Sequence, residues 1–281
     1  MRILTPSGAR HFCQNFTSAS ATSHKEVKKY LAGSRSGRTF SEGSPQFNEL
    51  RDCMLRDSER LAYHAAATFA STLRSLQASS APWSCVGLYY TSFFAARSIL
   101  GMHGGWVDGD KQWLEATNIN PGSIEITLRT ARHPAIQAKQ GSHKAFWSVF
   151  YFACRPLHPH AAAQHSFALS PVQSSSTWLI DNRNRINYGS ADASKLVDEF
   201  QRRYDPTNVA QSLPGDVKVF RNVAISLLAL ANQFRRAHGL ATDAPPVGAL
   251  NLDEAINNQI RANRDVALDA FSSAELMNFV A

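Results

Sequence analysis

Apolar positions along this chain recur mostly at intervals of three and four. Phe47, Leu50, Met54, Leu61, Ala65, Phe69, Leu73 and Leu76 form one helical stripe from about Ser44, with Ser58 in the gap between Met54 and Leu61. Ser79, Ser80 and Pro82 break the stripe, and Pro82 suits the first turn of a following helix. That second helix spans about Trp83 to Met102. Val86, Leu88, Tyr89, Tyr90, Phe93, Phe94, Ile99 and Leu100 surround it, which predicts a position at the centre of a bundle. Gly101, Gly104 and Gly105 end it. Further helices are predicted over Ser142–Cys154, Ser174–Tyr188, Ser194–Tyr204, Val217–His238 and Asp253–Phe271, with Pro245 and Pro246 as a hinge before the last. The period changes between residues 106 and 135. Trp113–Thr117 and Ile124–Leu128 flank Asn120-Pro121-Gly122, and the second run alternates apolar and polar, so a small β-hairpin is predicted there.

The pattern predicts an all-α fold with a small β-hairpin insertion. Three regions follow: an N-terminal arm over 1–45, a helical domain over 46–240 with its insertion near 106–135, and a C-terminal helical extension over 241–281. The arm carries Arg2, Arg10, Lys25, Lys28, Lys29, Arg35 and Arg38 among many Ser and Thr, with few acids before Glu42. Such a segment reads as flexible, or as ordered by a protein partner.

Composition narrows the class. Hydrophobic residues make up 44% of the 281, but no run of eighteen apolar residues exists, so no transmembrane helix and no membrane partner are expected. The N-terminus lacks an apolar signal-peptide stretch. Cys13, Cys53, Cys85 and Cys154 lie far apart, which reads as buried reduced thiols in a cytoplasmic protein. The net charge of +7 favours contact with a polyanion such as nucleic acid. No P-loop, dinucleotide fingerprint or Gly-x-Ser-x-Gly elbow occurs. His158, His160 and His165 read as solvated loop residues, since no acid or cysteine accompanies them. No metal and no cofactor are implied.

One cluster remains. Arg183-Asn184-Arg185-Ile186-Asn187-Tyr188-Gly189 closes an apolar helical run with two cations, two amides and a phenol, a mix suited to phosphate and base recognition. Leu179, Arg183 and Ile186 share a face, so the Arg183 guanidinium needs an anion or a hydrogen-bonding cleft. The alternative is an ion pair with Asp181, Glu199 or another acid. Arg183 and Tyr188 are five apart, about 140° on an ideal helix, and converge only if Tyr188 swings back at the helix end. Arg185 and Tyr188 are three apart and are neighbours on any helix. Either arginine can partner Tyr188.

The order Arg183, Asn184 and then Tyr188 resembles the Arg-x(4–6)-His signature of HEPN domains. Leu88-Tyr89-Tyr90-Thr91-Ser92-Phe93-Phe94-Ala95-Ala96-Arg97, followed by Gly101 and Gly104, is similar to the core stripe of an earlier helix in that family. The resemblance covers roughly Phe47–Leu230. It implies a HEPN-like helical bundle and a homodimer whose two motifs face each other. It also implies a metal-independent endoribonuclease of a defence or toxin–antitoxin system. Arg183 would hold the phosphate with support from Asn184, and Tyr188 stands where the family has its histidine. A phenol with a pKa near ~10 is a poor general base at neutral pH. Arg185, Asn187 and Arg97 would be substrate-binding candidates. The alternative implication is a catalytically inactive HEPN-like protein that binds a nucleotide or serves as a scaffold or regulatory subunit of a nucleic-acid-linked complex.

Overall fold

The computed structural model describes residues 1–14, 16, 26–77, 80–109, 111–120, 123–137, 140–203 and 213–240. The C-terminal extension, its hinge and the turn residues Pro121 and Gly122 lie outside these. Two helices dominate. Helix α3 (Pro45–Gln77) begins where the Ser44 hydroxyl accepts the Phe47 N–H at 3.2 Å, an N-cap. Helix α4 (Ala81–Met102) is buried around nearly its whole circumference, as its apolar sequence predicts. Small residues set how closely the two helices pack. The Ser58 hydroxyl, in the gap of the α3 stripe, donates to the Ser98 carbonyl at 2.7 Å. A Cβ on Gly87 would lie 2.0 Å from Thr72 Oγ1, so only glycine allows that crossing without displacement.

Helix α5 (Ser142–Ala153) contributes Phe146, Trp147, Val149 and Phe150 to the core. Two 3-10 turns follow over Arg155–His160 and Ser166–Leu169, where Pro156 and Pro159 preclude a regular helix. Helix α6 (Trp178–Tyr188) starts four residues later than its sequence predicts. Val172 and Ser175 close an antiparallel bridge, with Gln173 and Ser174 at φ of 48° and 63°, so the chain turns before it coils. Helices α7 (Ser190–Arg203) and α8 (Gly215–Ala237) complete the bundle, and α8 lies along α4. Where their C-termini meet, buried His238 and His103 face each other with Nε2 atoms 3.3 Å apart. None of the described helices is long and apolar enough to cross a membrane. All four cysteines are buried.

The insertion is larger than a hairpin. Strands β2 (Trp106–Asp108), β3 (Gln112–Asn120) and β4 (Ser123–Arg129) join β1 (Thr39–Ser41) in an antiparallel sheet of order β1-β4-β3-β2. Phe40 stands opposite Ile126, and Ala116 stands opposite Ile126 from the other side. Leu114, Ala116, Ile124, Ile126 and Leu128 turn inward, while Glu115 and Arg129 pair at 2.9 Å on the solvent face. The sheet sits over the end of α4, where a Cβ on Gly104 would fall 2.4 Å from that of Ala116.

Strand β1 comes from the segment expected to be a flexible arm, and that expectation is corrected for its described residues. Helices α1 (Pro6–Cys13) and α2 (Val27–Tyr30) pack on the bundle. Leu4, Phe12, Val27, Leu31 and Phe40 are buried, and the Leu4 N–H donates to the His103 carbonyl at 2.9 Å. A few well-placed apolar side chains suffice to order a basic segment when a preformed surface receives them. Arg2, Arg10, Lys28, Lys29, Arg35 and Arg38 remain exposed.

Candidate functional site

Helix α6 lies against α4 and directs Arg183 toward the paired tyrosines Tyr89 and Tyr90. The guanidinium donates from Nη2 to the Tyr90 hydroxyl at 2.8 Å and from Nη1 to Asn184 Oδ1 at 2.9 Å. Its centre lies 5.3 Å from the Tyr90 ring, 5.7 Å from the Tyr89 ring and 5.8 Å from the Tyr188 ring. Tyr188 does swing back to Arg183, although helical geometry alone separates them. Tyr188 itself is 75% exposed. Tyr90, Asn184 and Arg183 are all half-buried.

Among the described residues, no carboxylate pairs with Arg183. The two acids that sequence offers it are engaged elsewhere: Asp181 with Lys144, and Glu199 with Arg203. Arg183 Nε is buried and has no hydrogen-bond partner among the described residues. A half-buried cation held only by neutral groups and aromatic faces retains its charge for an incoming anion.

Arg185 takes the opposite course. Its exposed guanidinium reaches Asp216 at 3.1 Å, Asp192 at 3.6 Å and Asn182 Oδ1 at 2.7 Å. These contacts tie α6 to α7 and α8. Asn187 is half-buried near the end of α6. Arg97 lies seven residues beyond Tyr90, about 10 Å along α4. It packs over Phe93 at 5.6 Å and faces a separate cavity of about 380 Å³ lined by Glu26, Asp57 and Asp108. Burial lowers its pKa, and those three carboxylates oppose the shift. Arg97 is therefore a charge-balanced residue of a neighbouring cavity whose lining does not include Arg183.

The structure adds residues that sequence reading left in the core or passed over. Tyr89 is buried, and its hydroxyl lies 2.6 Å from His143 Nδ1 and 3.4 Å from the Trp147 indole nitrogen. The indole can only donate, so the Tyr89 hydroxyl accepts from Trp147; among the described residues its other partner is Nδ1 of a neutral His143, which accepts the hydroxyl proton. His143, in the first turn of α5, stacks on Phe93 with centroids 4.4 Å apart and meets the Tyr90 ring edge-on at 6.1 Å. Burial lowers its pKa, and the charges of Arg183 and then Arg97 lower it further. Burial also pushes the Tyr89 hydroxyl up. Arg183 and His143 thus contact one tyrosine pair, from the successive helices α6 and α5. Among the described residues no group of three or more His, Cys, Asp or Glu is placed to hold a metal ion. No protein-family model, curated protein or solved structure matches this chain.

Proposed function

We propose that the Arg183 cleft binds the phosphodiester backbone of RNA, and that this is a HEPN-like, metal-independent endoribonuclease working in a defence or toxin–antitoxin setting. The observation that carries the reading is the guanidinium itself: half-buried, held by Tyr90 and Asn184, and paired with no described carboxylate. A group so placed can stabilise the charge that develops on a phosphate under attack by the adjacent 2′-hydroxyl. Asn184 fixes its plane, and the exposed Tyr188 ring offers a stacking face for a base. In the proposed dimer, clefts from two copies face one another.

Purified protein should cleave single-stranded RNA in EDTA, and Arg183→Ala should abolish cleavage. Cleavage that survives this substitution, or that requires a metal, overturns the mechanism. A second reading, a nucleotide-binding regulatory subunit without catalysis, draws on Tyr188, which is 75% exposed at the position where the family has its histidine. Arg183-dependent binding of RNA without cleavage would select that reading.

A further inference from the structure

The motif helix lacks a histidine, but the cleft does not. We infer that His143 is the general acid of this cleft, donating a proton from Nε2 to the leaving 5′ oxygen of a phosphodiester seated on Arg183. The inference rests on the endoribonuclease reading and adds a catalytic residue that the motif does not contain.

Three features carry it. The ring is fixed in plane by stacking on Phe93, at 4.4 Å and an interplanar angle of 13°. It is fixed about its axis by the 2.6 Å bond between Nδ1 and the Tyr89 hydroxyl. With Nδ1 so engaged, no hydrogen bond among the described residues occupies Nε2. Tyr89 and Tyr90 each contact both the imidazole and the guanidinium, so an anion on Arg183 would be held by the same aromatic pair that positions the histidine.

The surrounding charges explain why the acid would form only with substrate bound. Burial first, then Arg183 on α6 and Arg97 on α4, oppose a second proton on the imidazole. Lys144, its neighbour on α5, is paired with Asp181. A phosphodiester on Arg183 brings negative charge and removes part of that opposition. The extra proton goes to Nδ1. The Tyr89 hydroxyl, which donated to that nitrogen, rotates and accepts from it.

The step balances without an added reactant. O2′ forms a bond to phosphorus and the P–O5′ bond breaks. The O2′ proton goes to solvent, the Nε2 proton goes to O5′, and solvent returns a proton to His143. The products are a 2′,3′-cyclic phosphate and a free 5′-hydroxyl.

The test uses the full chain and a DNA strand carrying a single ribonucleotide. With oxygen at the scissile 5′ position, His143→Gln should lower cleavage by about 10²- to 10⁴-fold, the usual span for a general acid. With sulfur bridging at that 5′ position, the leaving group needs no proton, and His143→Gln should cleave within tenfold of the unsubstituted protein. A positioning defect would persist with sulfur. Full activity of His143→Gln on the oxygen strand, or equal loss on both strands, overturns the inference while leaving the role of Arg183 intact. Failure of the unsubstituted protein to cleave either strand overturns both.

Discussion

The buried histidine pair at the end of α4 and α8 predicts a specific loss of stability in mild acid. His103 Nδ1 donates to the Ile99 carbonyl at 2.8 Å, which leaves its Nε2 as acceptor for His238 Nε2–H. Burial opposes charge on both rings, so both are neutral in the folded protein near neutral pH. Burial pushes the His103 pKa down to about 3, helped by His238, and burial pushes the His238 pKa down to about 4. A depressed folded-state pKa means that the unfolded chain gains a proton first as pH falls. The stabilisation is thus complete above the unfolded value near 6.5 and is lost progressively below it, down through the folded values. At pH 5.5 each neutral histidine costs about 1.4 kcal/mol relative to the protonated unfolded chain, or about 3 kcal/mol for the pair. That is a large share of a typical stability of about 5–15 kcal/mol. Urea unfolding followed by tryptophan fluorescence at pH 7.5, 6.5 and 5.5 measures the effect. His238→Gln keeps a donor toward His103 and removes one titrating group, so its loss over the same range should be smaller by about 1.4 kcal/mol. Equal pH dependence in the two proteins refutes the reasoning.

Further outcomes are expected at named positions. Gly87→Ala should lower stability by about 1–3 kcal/mol in thermal unfolding, because its new methyl group meets Thr72 Oγ1 at 2.0 Å, and Thr72→Ala in the same chain should restore most of it. Tyr90→Phe keeps the ring but removes the hydroxyl that holds Arg183 at 2.8 Å, so RNA affinity by fluorescence anisotropy should fall about tenfold or more. Arg185→Ala breaks exposed pairs with Asp192 and Asp216 and should cost no more than about 1 kcal/mol, with RNA affinity unchanged within a factor of about three. Tyr188→Phe should bind RNA as the unsubstituted protein does, whereas Tyr188→Ala should lose about 1–3 kcal/mol of affinity if the ring stacks on a base.

The bundle was legible because its longest helices carry their own instructions. The stripe on α3 and the all-round apolar surface of α4 are local patterns, and even Ser58 in the stripe has a local meaning as the small residue facing Ser98. The site was legible only in part. The spacing of Arg183 from Leu179 and Ile186 marks a cation on an apolar face. The choice between Arg183 and Arg185 depends on Asp192 and Asp216, which come from other helices. His143 bears no sequence relation to residue 183, and only the packing of α5 against α4 brings it to Tyr89. The N-terminal segment misled for a related reason. Its apolar residues are too sparse to show a period, and their partners are distant in sequence, as for Phe40 and Ile126.

Strand β1 is only three residues long, yet it occupies the hydrogen-bonding edge of β4. Without it, a seven-residue strand with Ile124, Ile126 and Leu128 on one face would present open backbone donors and acceptors to other chains. The short strand works as a guard against self-association. Chains cut or mutated near Thr39–Ser41 should therefore fail first by aggregating, before the helical bundle itself gives way.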